Sequence, residues 1–163
     1  MEARRNPFTA SSTGGRVLSG LQLPFFLARP PAGYGVLTTT GRRTGKTRRR
    51  CIRALPSGQA VYLVAIKGLA RSGWAKNALA ADTVQVRLPS GVVRGRARKL
   101  DDPSEVARAR AVYAGTVHWF DYLTWLNWRR GRPSRARIEQ LLADWVDTGT
   151  PLIIEPEQTP GTR

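Results

Sequence analysis

Apolar and polar residues alternate in short runs through the middle of the chain, and this alternation predicts β-strands. The predicted strands are Tyr34 to Thr40, Arg48 to Leu55, Gln59 to Ile66, Thr83 to Leu88, Val92 to Leu100 and Thr150 to Glu155. Turn-forming residues such as Pro56-Ser57-Gly58 lie between successive runs. Runs joined this closely predict antiparallel hairpins.

Other segments have the spacing of helices. Arg16 to Leu27 predicts a short helix, and Trp74 to Ala81 predicts another, with Ser72 placed to cap it. The chain from Val106 to Val146 is predicted to be mostly helical, with a break at Gly131 to Ser134. Strands followed by helices and a closing strand predict an α+β fold with a small, barrel-like antiparallel sheet.

The length of 163 residues fits one domain, and a hydrophobic content of 41% is sufficient for a packed core. We expect residues 16–156 to form that domain. Residues 1–15 are polar and carry Arg, so we expect a flexible N-terminal arm there and a C-terminal tail at residues 157–163.

Positive charge is the strongest feature of the composition. The chain has 27 Lys and Arg against 11 Asp and Glu, a formal net charge of +16, and 23 of the cations are Arg. This balance favours an anionic partner, either nucleic acid, an acidic membrane surface or a polyanionic ligand. A GC-rich genome raises Arg together with Ala, Gly and Pro, so the charge alone does not identify the anion.

The rarest residues exclude several kinds of site. The single cysteine, Cys51, excludes an internal disulfide, and one His with one Cys is too few for structural zinc, so no metal site is predicted. The apolar stretch Val17 to Ala28 contains Pro24 and is too short to span a bilayer. We therefore expect a cytoplasmic protein in which Leu21 to Leu27 can make a peripheral membrane contact.

The segment Gly41 to Arg50, called the basic hairpin, joins the first two predicted strands. Its two glycines allow a tight turn with exposed backbone N–H groups, and its cations can surround one anion. Guanidinium groups bind phosphate or carboxylate in bidentate pairs, and Thr44 adds a hydroxyl donor. The order GxxxxGK[ST] is absent, so the segment is not a Walker A loop. A solvated hairpin without a ligand is the alternative.

Alternation along the second strand divides its side chains between two faces. One face is predicted to carry Arg48, Arg50 and Ile52, and the other Arg49, Cys51 and Arg53. One face should be apolar, yet both carry Arg, so at least one Arg must lie in a groove or at a sheet edge. This favours ligand binding over plain solvation.

A second candidate cluster follows the most apolar strand. Lys67 and Gly68 end that strand, and Trp74 and Asn77 lie three residues apart on one predicted helix face. An indole and an amide so placed can frame a planar ring, although core packing of Trp74 is the alternative.

The C-terminal helices carry a third group, which is aromatic. Helical spacing predicts that Tyr122, Trp125 and Trp128 share a face, with Tyr113 and His118 nearby in sequence. Core packing is the usual role of such stripes, and a wall of a substrate pocket is the functional alternative.

The motifs TTTGRRTGKTRRR, VAIKG, WAKNALAAD and VQVRL together resemble the deazaflavin-dependent nitroreductase family, also described as quinone reductases that use reduced coenzyme F420. The resemblance covers Tyr34 to Leu100 and, more weakly, TPLIIEP near the C-terminus. It implies a split β-barrel with flanking helices and a deazaflavin cofactor, whose phosphate and oligoglutamate tail suit the basic hairpin. FMN is the alternative cofactor, since the hairpin would hold its phosphate too.

The resemblance also implies which residues contact the cofactor. The phosphate and tail would be held by Arg42, Arg43, Thr44, Gly45, Lys46 and Arg48. The ring system and its ribityl chain would lie against Arg50, Cys51, Ile52, Ala65, Ile66, Lys67 and Gly68, with Trp74 and Asn77 closing the site. Thr47 and Cys51 stand where the family usually has proline, and Ala75 follows Trp74 where Tyr is usual, which leaves the substrate open.

The implied reaction is hydride transfer from the reduced deazaflavin to an electron-poor substrate such as a quinone, enone or nitro compound. Tyr113 and Tyr122 are the candidate proton donors, and solvent is the alternative. A non-catalytic module that binds nucleic acid or anionic lipid is the alternative from another class. Nucleic acid is disfavoured because the strands carry Val, Leu, Ile and Arg instead of stacking aromatics. Either a monomer or a homodimer fits the sequence.

Overall fold

A computed structural model describes residues 21–128 and 131–157 of the chain. The described residues form the strands β1 (Tyr34–Thr40), β2 (Thr47–Arg53), β3 (Leu55–Ser57), β4 (Ala60–Ala65), β5 (Val84–Leu88), β6 (Gly91–Lys99) and β7 (Thr150–Pro156). The helices are α1 (21–28), α2 (Gly68–Arg71), α3 (Gly73–Ala80), α4 (Pro103–Gly115), α5 (Trp119–Trp128) and α6 (Arg135–Thr148). The expected N-terminal arm, the start of the first predicted helix and residues 158–163 lie outside the described residues.

The strands form one sheet in the order β2-β1-β5-β6-β7-β4-β3, and every neighbouring pair is antiparallel. β2 and β3 lie at opposite ends of this order, although only Ala54 separates them in the chain. The two edges must therefore meet at Ala54, which curls the sheet into a half-barrel. The predicted α+β fold with a split-barrel sheet and flanking helices is confirmed.

One predicted strand, Arg48 to Leu55, is two strands in the structure. The amide of Ala54 donates a hydrogen bond to the carbonyl of Gly33 at 3.0 Å, outside the regular β1–β2 ladder. The chain turns a corner at this bond, so β2 ends at Arg53 and β3 pairs with β4 on the other edge. The closure of the half-barrel is thus the reason for the break.

Because successive side chains of β1 point to opposite faces of the sheet, they pack into two separate clusters. Leu37 belongs to a cluster on what we call the inner face, which is covered by α2 and α3. Val36 points to the opposite, outer face, where α1 and α5 cover one part of the sheet and α4 and α6 another. The inner cluster is formed by Leu37, Val61, Leu63, Ala65, Val84, Val86, Leu88, Ala97, Leu152 and Ile154 with Ala75 and Ala78. Each fully buried Val, Leu or Ile side chain there stabilises the fold by about 1.5–3 kcal/mol.

The helix starts differ in how they are capped. Ser72 occupies the N-cap of α3 as predicted, but its side chain makes no capping hydrogen bond. Asp102 caps α4 by accepting from the amides of Ser104 and Glu105 at 2.8 and 3.1 Å. These bonds, with one from the Ser104 hydroxyl as the largest cause, lower the pKa of Asp102. The long helical stretch predicted from Val106 has an additional break at residues 116–118.

A buried ion pair ties α5 to the outer face. Arg53, at the end of β2, pairs with Asp121 in the first turn of α5, and both side chains are almost fully buried. The same guanidinium donates to the carbonyl of Thr116. Asp121 also accepts from the hydroxyl of Tyr34 at 2.6 Å and from the amide of His118 at 2.8 Å. A charge buried at this depth without its partner is strongly destabilising, so each member depends on the other.

Replacing Asp121 by Ala leaves Arg53 charged, buried and unpaired. We expect Asp121→Ala to lower the free energy of unfolding, measured by chemical denaturation, by about 3–5 kcal/mol. The exposed pair between Arg135 and Glu139 is the control. Glu139→Ala should lower the same quantity by less than about 1 kcal/mol. Equal losses in the two variants would show that the buried pair does not hold α5.

Candidate functional site

The basic hairpin closes as a compact β1–β2 connection. The amide of Gly41 donates to the carbonyl of Lys46 at 2.9 Å, and the amides of Thr44 and Gly45 donate to the carbonyl of Gly41 at 3.1 and 2.7 Å. The chain reverses within residues 42–45, whose side chains are all exposed. The polar groups of the loop are therefore available at the surface.

Gly41 lies directly beneath the polar groups of this loop. A Cβ added at Gly41 would lie 2.8 Å from the Thr44 hydroxyl oxygen, 3.1 Å from Nε of Arg48 and 3.3 Å from the carbonyl oxygen of Lys46. A hydroxyl and a guanidinium thus converge over a residue that has no side chain to displace them. Donors grouped in this way fit a phosphate group.

Most cations of the hairpin are exposed and have no carboxylate partner among the described residues. The exposed ones are Arg42, Arg43, Lys46, Arg48 and Arg49. Within residues 21–128 and 131–157, no carboxylate forms an ion pair with any of them. Their summed positive potential attracts anions to this end of the sheet.

Helix α3 on the inner face reaches the basic hairpin. The backbone N–H of Arg42 donates to Oδ1 of Asn77 at 3.4 Å. Ala75 and Ala78 bury the opposite side of the helix in the inner cluster. The structure therefore brings Asn77 of the second predicted cluster to the predicted anion site.

The side chains of β2 divide between the two faces as alternation predicts. Arg50 lies opposite Leu37 in the ladder and shares the inner face with Ile52, which packs against the inner cluster. Cys51 lies opposite Val36 and packs against the outer face beneath α1 and α5. The side chain of Cys51 therefore points away from those of Arg50 and Ile52, and any contact of Cys51 with a ring system on the inner face would have to be made by its backbone.

The two outer-face arginines of β2 have separate environments. Arg49 is exposed, whereas Arg53 is buried in its ion pair with Asp121. The charge of Arg53 is therefore neutralised within the protein by Asp121. The presence of Arg on both faces of β2 is thus not in itself evidence of a ligand. Only Arg48 and Arg50 lie on the same side of β2 as α3.

The end of β4 is similarly divided. Ala65 belongs to the inner cluster, but the side chain of Ile66 packs with the outer cluster, so only the backbone of Ile66 faces the predicted ring site. Lys67 is exposed, and Gly68 has a positive φ of 70° with no atom within 4 Å of an added Cβ. Trp74 is half-buried against the inner cluster. Ala65 and Trp74 thus lie on the inner side with the Arg48–Arg50 face of β2.

The two predicted proton donors lie away from the inner face. Tyr113 is buried in the outer cluster, where its hydroxyl donates to the carbonyl of Arg53 at 3.2 Å and burial raises its pKa. Tyr122 is 37% exposed on α5, which also covers the outer face. The burial of Tyr113 corrects the prediction that it contacts a substrate, and the sheet separates Tyr122 from Arg48.

The predicted aromatic face of α5 is also divided. Trp125 is buried and its indole N–H donates to the carbonyl of Gly131 at 3.1 Å, whereas Tyr122 faces solvent. The side chain of Trp128 lies outside the described part of the chain. Trp125 is therefore a packing residue, whereas Tyr122, three residues earlier on the same helix, stays partly accessible.

The sequence pattern did not identify Asp121 as a candidate residue. It is the only acidic residue between Glu105 and Glu139, and it lies inside an aromatic helix. A carboxylate isolated in such a segment needs a buried cation, and that isolation is the signal that could have identified it.

No helix among the described residues is both long and apolar enough to cross a bilayer. In the same residues, no three His, Cys, Asp or Glu side chains are grouped so as to hold a metal ion. The segment predicted to contact a membrane forms α1, which exposes Leu21 and Phe25 and buries Phe26.

Comparison with known proteins gives one family match. The model of a family described as F420H(2)-dependent quinone reductase matches residues 20–127, which is more than half of the chain. No curated protein matches the chain.

Solved structures share the fold at low sequence identity. A protein described as a domain-swapped dimer is 18% identical, with 88% of this chain and 100% of that chain covered and a TM-score of 0.51. A conserved hypothetical protein from Mycobacterium tuberculosis is 15% identical, with coverage of 86% and 81% and a TM-score of 0.50. An F420-H2 dependent reductase is 20% identical, with coverage of 76% and 94% and a TM-score of 0.49. At these identities the likeness concerns the fold alone.

A side chain at position 41 should disturb the anion site without disturbing the fold. We expect Gly41→Ala to weaken the binding of inorganic pyrophosphate about tenfold in calorimetric titration, since one charge-assisted donor contributes about 1.5–3 kcal/mol. Gly115→Ala is the control, because an added Cβ there meets no atom within 4 Å. Equal affinities in the two variants would contradict the convergence of donors over Gly41.

Proposed function

Because this chain belongs to the F420H(2)-dependent quinone reductase family, we propose that it transfers a hydride from reduced coenzyme F420 to an electron-poor organic substrate. Family membership supports the coarser statement, an F420-dependent reductase activity. The proposed substrates are quinones, with enones and nitro compounds as the wider class. The proposed partners are this small molecule, a membrane surface contacted through Leu21 to Leu27 and, in a homodimer, a second copy.

The observation that carries the cofactor proposal is the convergence of donors over Gly41. The Thr44 hydroxyl and the Arg48 guanidinium meet there, and neither Arg48 nor Lys46 has a carboxylate partner in the described chain. These residues fit the phosphate and the oligoglutamate tail of the deazaflavin, since both are anionic. Arg42, Arg43 and Gly45 belong to the same proposed contact.

The inner side of the sheet fits the ring system. Arg50 and Ile52 lie there on β2, Ala65 lies there on β4, and Trp74 packs against the same cluster. Lys67 and Gly68 follow Ala65 directly, and Asn77 is already at the hairpin. For Cys51 and Ile66, whose side chains face outward, only backbone contact with the cofactor is proposed.

When bound, the reduced cofactor supplies the hydride from its C5 carbon. The chain contributes orientation: the hairpin fixes the anionic end, and β2 with Trp74 fixes the plane of the ring. Holding both reactants in one geometry contributes on the order of 7–11 kcal/mol in well-aligned cases. We propose that solvent protonates the product, because the Tyr113 hydroxyl is buried and Tyr122 lies on α5 at the outer face.

FMN remains the alternative cofactor. The basic hairpin would hold its phosphate by the same contacts, and the difference lies in the tail, which FMN lacks. A non-catalytic module that binds nucleic acid is the alternative from another class, and it predicts binding governed by total charge instead of by one face of β2.

Neighbouring arginines on opposite faces of β2 separate these proposals. We expect Arg48→Ala to weaken the binding of F420, measured by its fluorescence change, about tenfold or more. Arg49→Ala removes the same charge from the adjacent position on the outer face and should change the affinity by less than about threefold. FMN and an oligonucleotide are titrated in parallel at two salt concentrations.

Other results would contradict the proposal in distinct ways. Equal losses in the Arg48 and Arg49 variants would point to a diffuse basic surface. Binding of the oligonucleotide alone, with a steep dependence on salt, would exclude the reductase. Tighter binding of FMN than of F420 would favour the flavin alternative, and anaerobic oxidation of reduced F420 by a water-soluble quinone tests the reaction itself.

A further inference from the structure

The middle of the outer face of the sheet is left open by the helices that the structure describes. α1 and α5 pack over β1 and β2, whereas α4 and α6 pack over β3, β4 and β7. In the order of the sheet, β5 and β6 lie between these two groups of strands. Their outward side chains belong to neither outer cluster.

Alternation identifies the outward side chains of β5 and β6. The inner cluster contains Val84, Val86 and Ala97, so the residues that alternate with them point outward. These residues are Gln85 and Arg87 on β5 and Val92, Arg94 and Arg96 on β6. All three arginines are exposed. An open part of the sheet thus carries a group of exposed cations.

A fourth arginine lies in register with this group. Thr38 is the ladder partner of both Arg49 and Gln85, and Gln85 is the partner of Arg94. These four residues form one row across β2, β1, β5 and β6. Neighbouring strands lie about 4.8 Å apart, so the row spans roughly 14 Å from one arginine backbone to the other. We call Arg49, Arg87, Arg94 and Arg96 the arginine strip.

The arginine strip is not neutralised by the described part of the chain. Within residues 21–128 and 131–157, no carboxylate forms an ion pair with any of its members. The nearest one in the ladder, Glu155, lies opposite Arg96 but pairs with Arg98 at 2.8 Å. Glu157 accepts a hydrogen bond from the Thr83 hydroxyl. Like charges held this close repel one another, and an anionic partner would relieve that repulsion.

We propose that the arginine strip binds an extended acidic segment of a partner protein, with carboxylates at alternate positions. Alternate residues of an extended chain lie on one side, about 6.6 Å apart, and Arg94 and Arg96 have the same spacing along β6. Guanidinium groups bind carboxylates in bidentate pairs. Arg87 offers a further cation one strand away, and Val92, which is 50% exposed, offers an apolar contact.

Two other occupants fit the arginine strip less well. Single-stranded nucleic acid binds largely by stacking on aromatic side chains, and the outward positions of β5 and β6 have none. A second copy of the chain carries the same net charge of +16 and is repelled. An acidic segment needs only carboxylates at strand spacing. The proposal is independent of the proposed function, because Arg48 and α3 lie on the opposite side of the sheet.

Fluorescence anisotropy with the full-length protein and a labelled peptide in which Glu alternates with Ser tests the proposal. The comparison peptide has the same composition with all its Glu in one block, and we expect it to bind several-fold more weakly. Arg87→Gln combined with Arg94→Gln should weaken binding of the alternating peptide about fivefold at low salt, as expected for two exposed ion pairs. The difference should shrink at high salt.

A matched pair of arginines elsewhere is the control. Arg108 on α4 and Arg132 before α6 are exposed, and neither forms an ion pair with a described residue. Arg108→Gln combined with Arg132→Gln removes the same charge and should change the affinity less than about twofold. F420 binding should be unchanged in both double variants, which also shows that they are folded.

Four results would overturn the proposal. Equal losses in the two double variants would show that total charge governs the binding. Equal affinities for the alternating and the block peptide would contradict the match in spacing. A larger loss of oligonucleotide binding than of peptide binding in the variant of Arg87 and Arg94 would assign the arginine strip to nucleic acid. A loss of F420 binding in that variant would place the arginine strip in the cofactor site, whereas failure of the wild type to bind F420 would contradict only the proposed function.

Discussion

Successive side chains of a β-strand point to opposite faces, and in β2 this constraint decides what each cation can do. Arg48 and Arg50 lie on the inner side, toward α3 and the donors above Gly41. Arg49 and Arg53 lie on the outer side, one in solvent and one in a buried ion pair. A strand of seven residues thus serves a candidate anion site on one face and the attachment of a helix on the other, and a shift of one residue in register would exchange the two roles.

The outer face depends on one polar contact within an otherwise apolar layer. The carboxylate of Asp121 binds the Arg53 guanidinium and accepts hydrogen bonds from the Tyr34 hydroxyl and the His118 amide. Because Tyr34 lies on β1 and Arg53 on β2, these contacts fix the start of α5 on the two strands. Burial, with the nearby negative charge of Asp121 as a further cause, raises the pKa of Tyr34 and keeps its hydroxyl protonated as a donor. Arg53 directly follows Ile52 of the inner face, so the attachment of α5 and the candidate cofactor strand share the same backbone.

The two proposed contacts use opposite sides of the sheet. The proposed cofactor site lies on the basic hairpin, β2 and α3 at the inner side, whereas α1 and α5 cover part of the outer side. Contact with a bilayer would therefore leave the hairpin open to its ligand.

The sequence by itself determined the strands apart from the break at Ala54, the basic hairpin, the faces of β2 and the family, because these depend on residue type and on spacing within short segments. Tertiary structure decided the outcome wherever a partner is distant in the chain. Asp121 is 68 residues from Arg53, and Tyr113 donates to a carbonyl 60 residues away, so no local pattern could have identified Arg53 as the partner of Asp121 or revealed the burial of the predicted proton donor. The same holds for Cys51 and Ile66, whose outward orientation follows from which helices cover each face. Periodicity separates two faces of a strand, but only the packing of the whole chain decides which of them is covered, by what, and which remains open to a ligand.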